Sequence, residues 1–181
     1  MVYFFKQFMV RAMLIAVLIT IGLQGNAQTE SRITRYNYFF LEAIRQQEMG
    51  NLAAAFDLLN HARDINPKAP EVYYEIAGYY VAMQNSKAAR YNFEQAAKLA
   101  PDNSTYLEKL GQFYISQNNY EDALTTYEQL YTSNKTREDV LQILYQLYGA
   151  QNNYKKMIEM IERMELLSGA SEQLSLTKMQ I

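Results

Sequence analysis

From Tyr36 onward, apolar side chains recur three, four and seven positions apart, the spacing that places them on one face of a helix. The pattern repeats every 34 residues without insertion, in segments beginning at Tyr36, Pro70, Ser104 and Glu138. Within each segment, large residues stand at the fourth position (Phe39, Tyr73, Leu107, Leu141) and the twenty-fourth (Leu59, Phe93, Tyr127, Ile161). Small ones stand at the eighth (Ala43, Ala77, Gly111), the twentieth (Ala55, Ala89, Ala123) and the twenty-seventh (Ala62, Ala96). Between the two apolar runs of each segment lie Met49-Gly50-Asn51-Leu52, Met83-Gln84-Asn85-Ser86, Gln117-Asn118-Asn119-Tyr120 and Gln151-Asn152-Asn153-Tyr154. Gly and Asn tolerate the left-handed backbone that ends a helix. Pro67 and Pro101 then stop the second helix of the first two segments. The pattern predicts helices over about 36–49, 53–65, 71–83, 87–99, 105–117, 121–132, 138–150 and 154–167, with ends good to a few residues.

These positions resemble the tetratricopeptide repeat (TPR) over roughly residues 36–171. The resemblance implies an all-α fold: a right-handed TPR solenoid of four helix-turn-helix hairpins, 36–69, 70–103, 104–137 and 138–171. Small side chains let neighbouring helices approach, and the large ones fill the spaces between. The departures are informative. Gln46 stands at position eleven, where the other units have Tyr80, Tyr114 and Tyr148. The third unit has Leu130 at position twenty-seven and Lys135 in place of the closing proline. The fourth has Tyr145, Met157 and Met164 at its three small positions, which predicts a less regular hairpin repacked around flexible Met. Residues 172–181 read as a partial helix ending on an apolar residue, short enough to be marginal alone. The chain is therefore expected to be the front part of a longer array, or a shortened one, with self-association through residues 171–181 as a second reading.

Ahead of the repeats, Lys6 and Arg11 precede the uncharged run Ala12–Leu23 and the small residues Gly25-Asn26-Ala27. This is the layout of a secretory signal, with cleavage expected after Ala27 and residues 28–35 as a short lead-in. The alternative is an uncleaved anchor, but the apolar run falls short of the ~20 residues a spanning helix needs. Cleavage takes two of the 17 basic residues and none of the 19 acidic ones, leaving 15 against 19, a net charge of −4. That balance argues against nucleic acid and anionic lipid as partners. The chain has no Cys, hence no disulfide, thiolate site or lipid-bearing cysteine. Scarce Gly and Pro, 7 and 3, fit long helices. An exported, cysteine-free chain of this type looks bacterial, and the periplasm of a Gram-negative cell is the expected compartment.

Catalytic chemistry finds no foothold. His61 is the sole histidine, with no nucleophile or metal-ligand spacing around it, and reads as a surface helix residue. Glu159 and Glu162 share one helix face rather than facing each other across a cleft. Phosphate loops, metalloprotease motifs and serine-nucleophile elbows are absent from the sequence, so no catalytic, cofactor or metal site is expected. Tyrosine is abundant, 16 residues, and Tyr73, Tyr80, Tyr114, Tyr120, Tyr127, Tyr148 and Tyr154 fall on positions where the repeat takes aromatics for packing.

The TPR resemblance implies a concave surface lined by the first helix of each hairpin. Carried onto this chain, its positions are Asn37, Phe40, Ile44 and Gln47; Glu71, Tyr74 and Val81; Thr105, Glu108, Gln112 and Ile115; and Asp139, Gln142 and Gln146. Such a lining, with aromatic anchors, amides and no Lys or Arg, is expected to take a neutral or basic protein or peptide segment. Phe40, Ile44, Glu108 and Gln112 stand where chaperone-tail TPR domains place carboxylate-clamping cations, so that activity is not expected.

Overall fold

A computed structural model describes residues 29–169 and 172–180, and every regular element among them is helical. The segment carrying the expected signal and cleavage point lies outside the described residues. The first helix, α1, occupies residues 29–48. It is followed by α2 (Leu52–Ile65), α3 (Pro70–Ala82), α4 (Ser86–Leu99), α5 (Ser104–Ser116), α6 (Tyr120–Ser133), α7 (Glu138–Ala150), α8 (Tyr154–Ser168) and α9 (Glu172–Met179). From α2 to α8 the ends fall within two residues of those the apolar spacing predicts. α1 differs: it is already helical at Thr29, so the expected lead-in is helix over the residues described. The stretch before Tyr36 has neither Gly nor Pro to break it, and Arg32 Nη2 ties it to the Ile65 carbonyl at the end of α2, 3.4 Å away.

One local device makes all four hairpin turns. Gly50, Gln84, Asn118 and Asn152 adopt φ of 80°, 57°, 57° and 55°. The N–H of the next residue then reaches back to the carbonyl at position eleven: Asn51 to Gln46, Asn85 to Tyr80, Asn119 to Tyr114 and Asn153 to Tyr148, each 2.9 Å. In three turns the same Asn caps the following helix, accepting from the N–H of Ala88, Asp122 or Lys156. The first turn spends that side chain differently. Asn51 Nδ2 donates to Gln46 Oε1 at 2.7 Å, and α2 has no side-chain cap. Gln46, the departure at position eleven, is what diverts it.

The chain divides into two compact units, residues 1–72 and 73–181. In the described part of the first, α1 and α2 form a hairpin whose buried residues include Tyr36, Ala43, Ala55, Leu59 and Ala62. Phe39 is half-buried and meets the His61 ring edge-on, centroids 4.7 Å apart.

The second unit has one continuous core running from Ala77, Ala89 and Phe93 through Leu107, Leu110 and Tyr127 to Leu144, Tyr148 and Ile161. Small and large positions interlock there. Gly111 lies so close to Tyr127 that a Cβ would come within 2.6 Å of the ring. In the fourth hairpin the three positions without small residues hold Met164, which is buried, and Tyr145 and Met157, which lie half-buried against the core. α9 packs on α8, with Leu174 against the core and Lys178 Nζ 2.8 Å from Glu162 Oε1. Tyr120 and Tyr154, expected in the core, are instead 40% and 53% exposed. They start α6 and α8, where the ring lies beside the turn, and each hydroxyl donates to the Asn two residues earlier.

Candidate functional site

The residues expected to line a groove divide between the two units. On α1, Asn37 and Gln47 are exposed, and Phe40 and Ile44 are half-buried. Phe40 stacks on Tyr36, 5.9 Å between centroids at 12°, and the Tyr36 hydroxyl donates to Glu71 at the start of α3. These contacts hold the Phe40 ring and the Glu71 carboxylate in place.

In the second unit, Tyr74 on α3 lies half-buried between Tyr106, at 5.2 Å, and Phe93, at 6.3 Å. Burial pushes its hydroxyl pKa up, with Glu75 adding to the effect. Glu108 and Gln112 stand on α5, half-buried and exposed respectively, and Gln142 and Gln146 are exposed on α7. None of these side chains serves the core, so α5 and α7 present an acid and three amides to solvent. Gln142 also borders a cavity of about 350 Å³ between α7, α8 and α9, together with Tyr145, Met164 and Leu174.

One residue here escaped the sequence reading. Arg137, the N-cap residue of α7, is ion-paired to both Glu108 and Asp139. The lining positions themselves hold no Lys or Arg, but in the second unit Arg137 stands beside two of them. Arg137's hydrogen bonds hold the Asp139 carboxyl below the usual carboxylate range. The available signal was its position: it ends its segment directly before the lining residues of the next, as Arg35 does.

The tyrosines at position eleven also do more than pack. Tyr114 OH donates to Glu94 Oε1 at 2.8 Å, and Tyr148 OH donates to Glu128. Each bond joins the first helix of one repeat to the second helix of the repeat before. Burial first, then the carboxylate partner, push both phenols well above their ordinary pKa. A cation covers each ring: the Arg90 guanidinium 5.2 Å from the Tyr114 centroid, and Lys156 Nζ 6.0 Å from that of Tyr148. Among the described residues there is no group of three or more His, Cys, Asp or Glu placed to hold a metal ion. No helix among them is long and apolar enough to cross a membrane.

Comparison with known proteins gives the architecture its relatives. The chain is similar over 79% of its length to a tetratricopeptide repeat protein from Parabacteroides merdae ATCC 43184, with TM-score 0.66 and 19% identity. It spans 57% of that structure's own length. It is similar over 80% to a MamA protein, with TM-score 0.62, 12% identity and 79% of that chain covered. MamA 41-end from Desulfovibrio magneticus RS-1 gives TM-score 0.61 and 16% identity, covering 80% of this chain and 81% of that one. At these identities the likeness is one of fold. By sequence, no curated protein matches. The tetratricopeptide repeat family model matches residues 70–103 and 104–137, the second and third 34-residue segments, and the chain therefore carries tetratricopeptide repeats there, within an all-helical fold shared with solved TPR proteins.

Proposed function

We propose that this protein is a non-enzymatic interaction scaffold that binds a protein or peptide segment on the first helices of its hairpins, in the cell envelope. The observation that carries the reading is the surface of α5 and α7, where Glu108, Gln112, Gln142 and Gln146 are held on a rigid repeat core yet contribute nothing to it. Amides there can bond a peptide backbone, and the Tyr74–Tyr106 ring pair offers rigid contact area at low entropy cost. Arg137 between Glu108 and Asp139 tempers the preference for a basic segment, favouring a ligand with one cation among neutral residues. The envelope location rests on the basic, apolar, small-residue order of residues 1–27.

Panning a displayed random-peptide library against the full chain tests this. Peptides recovered on the native protein should lose at least tenfold in affinity on Tyr74→Ala/Glu108→Ala. Equal binding to the double variant would refute the groove. A second reading, self-association, is favoured by Leu166 and Met179, each 84% exposed, near Leu167 and Leu176 on α8 and α9. Light scattering across a concentration range separates the two: dimers lost on Leu166→Lys/Met179→Lys support self-association, and a concentration-independent monomer removes it.

A further inference from the structure

The second and third repeats meet in a closed joint. Gln129 Nε2 donates to the Pro101 carbonyl at 3.1 Å, which ties α6 to the turn after α4. Arg90 lies over Tyr114 and bonds Glu94 at 2.7 Å and Asp122 at 2.9 Å. Its guanidinium thus meets one carboxylate from each repeat.

Thirty-four residues further on, Tyr114 and Glu94 recur as Tyr148 and Glu128, but the other closing groups are replaced. Pro101 becomes Lys135, Gln129 becomes Arg163, Asp122 becomes Lys156, Ala97 becomes Tyr131, and Arg90 becomes Leu124. Arg163 does not reach back to the turn. It turns to the Tyr131 hydroxyl at 2.7 Å and to Glu159 at 2.6 Å, with its guanidinium 5.1 Å from the Tyr131 ring centre. Lys156 sits 3.0 Å from the same Glu159. Between α6, α7 and α8 lies a cleft of about 310 Å³, lined in part by the replacements Lys135, Tyr131, Lys156 and Arg163.

That cleft has a chemical character of its own. Its floor is apolar, from the buried Leu144 and Met160, and its walls are the Tyr131 and Tyr148 rings. Three cations line it, Lys135, Lys156 and Arg163, against two carboxylates, Glu128 and Glu159. Glu159 is shared by Lys156 and Arg163, and Glu128 accepts from Tyr148. Lys135, exposed in the turn, has no ion pair among the described residues. One positive charge is thus uncompensated beside an apolar floor, on a chain whose overall charge is negative.

We propose that the cleft between the third and fourth repeats binds an apolar group bearing a carboxylate, its body on Leu144 and Met160 and its charge on Lys135 and Lys156. The volume lies at the small end of ligand pockets, which run to roughly 300–1,000 Å³, and suits one amino-acid-sized group. The same chemistry is offered by the C-terminal residue of a peptide and by a free short carboxylic acid. The site is separate from the α5 and α7 surface invoked for segment binding and does not depend on it.

The test uses the full chain with methyl-labelled methionine, titrated with acetyl-Ala-Ala-Leu as the free acid, with its C-terminal amide, and with 4-methylpentanoate. The free-acid peptide should shift the Met160 methyl signal, and the amide should bind at least tenfold more weakly. Lys135→Pro restores the residue the second repeat carries at this turn, so the fold is kept, and affinity for the acid should fall at least fivefold. Lys156→Ala should do the same. If 4-methylpentanoate binds as well as the peptide, the carboxylate site stands and its occupant is a free acid. If it binds far more weakly, the site stands and its occupant is a chain terminus. An unmoved Met160 signal, equal binding of acid and amide, or undiminished binding to Lys135→Pro overturns the proposal.

Discussion

Three glycines sit inside helices of the second unit, and adding a single methyl group to each should produce three different results. Gly78 on α3 is exposed, and a Cβ there meets nothing within 4 Å. Gly78→Ala should express only the helix-propensity gain, a stabilisation of about 1 kcal/mol. Gly149 on α7 would place its Cβ 3.4 Å from Met157 Cε. That methyl is the end of a flexible side chain and can move, so Gly149→Ala should keep most of the gain. Gly111 on α5 would place its Cβ 2.6, 3.0 and 3.1 Å from three ring carbons of Tyr127. Carbon atoms prefer roughly 3.5–4.0 Å, so something must shift by about 1 Å.

Tyr127 cannot supply that shift cheaply, because it is 1% exposed within the core. Overpacking of this kind costs about 1–3 kcal/mol, which exceeds the propensity gain, so Gly111→Ala should destabilise by up to about 2 kcal/mol. Urea unfolding followed by circular dichroism and by tyrosine fluorescence gives the three differences. For a chain of this size, each kcal/mol moves the melting midpoint by about 2–4 °C. Replacing the ring should relieve the clash: Gly111→Ala with Tyr127→Leu reproduces the Ala43/Leu59 pairing of the first repeat, and its loss should be smaller than the two single losses added. A stabilising Gly111→Ala, or strict additivity in the double variant, would refute the reasoning.

The other predictions concern polar groups. Asn92 is 3% exposed and its Oδ1 has no hydrogen-bond partner, while position twenty-three of the fourth repeat holds Met160; Asn92→Met should therefore stabilise by about 1 kcal/mol in urea unfolding. The raised pKa of Tyr114 and Tyr148 means that their contribution to stability is fully present below pH ~10 and is lost as the pH climbs from there. A phenolate absorbance titration should show tyrosines resisting ionisation until the fold gives way, and Tyr114→Phe/Tyr148→Phe should remove two of them. The Asp139 and Glu159 carboxyls are held low by Arg137 and by Lys156 with Arg163, so their contribution is present above pH ~4 and is lost as the pH falls below it. Both groups are partly exposed, so Asp139→Asn should flatten the acid limb by only a few tenths of a kcal/mol.

The helices were legible because position in a 34-residue segment constrains backbone and side chain together. The residue before the Asn of each hairpin turn takes a left-handed conformation whether it is Gly50, Gln84 or Asn118, so the turn follows from its place in the hairpin. Side-chain destinations were less legible wherever two uses of one residue type compete. Tyr127 and Tyr148 are buried, whereas Tyr120 and Tyr154 bond the turn and face water, although all four fall on aromatic positions. Arg137 was missed because its partners, Glu108 and Asp139, lie 29 residues before it and two after it, a closure that only the folded repeat brings about. The extension of α1 to residue 29 shows no periodic signal of its own. It follows from the lack of a breaker and from the anchor at Ile65.

A repeat protein separates its architecture from its individuality in a way an irregular domain does not. What recurs at a fixed position, such as Ala55, Ala89 and Ala123, or the carbonyl at position eleven, is explained by packing each repeat on the next. A residue that departs from the repeat must either be repaired locally or leave something open. Gln46 is repaired by Asn51, and the large Tyr127 ring is repaired by Gly111. The exchanges at Lys135, Lys156 and Arg163 are repaired only in part, since Glu159 answers two of the three charges and Lys135 none. The loss of the closing proline and the gain of cations fall in one joint, and the exchanged residues Lys135, Lys156 and Arg163 line the cleft there. That coincidence is what distinguishes a site from a packing defect, which would leave apolar walls and no surplus charge.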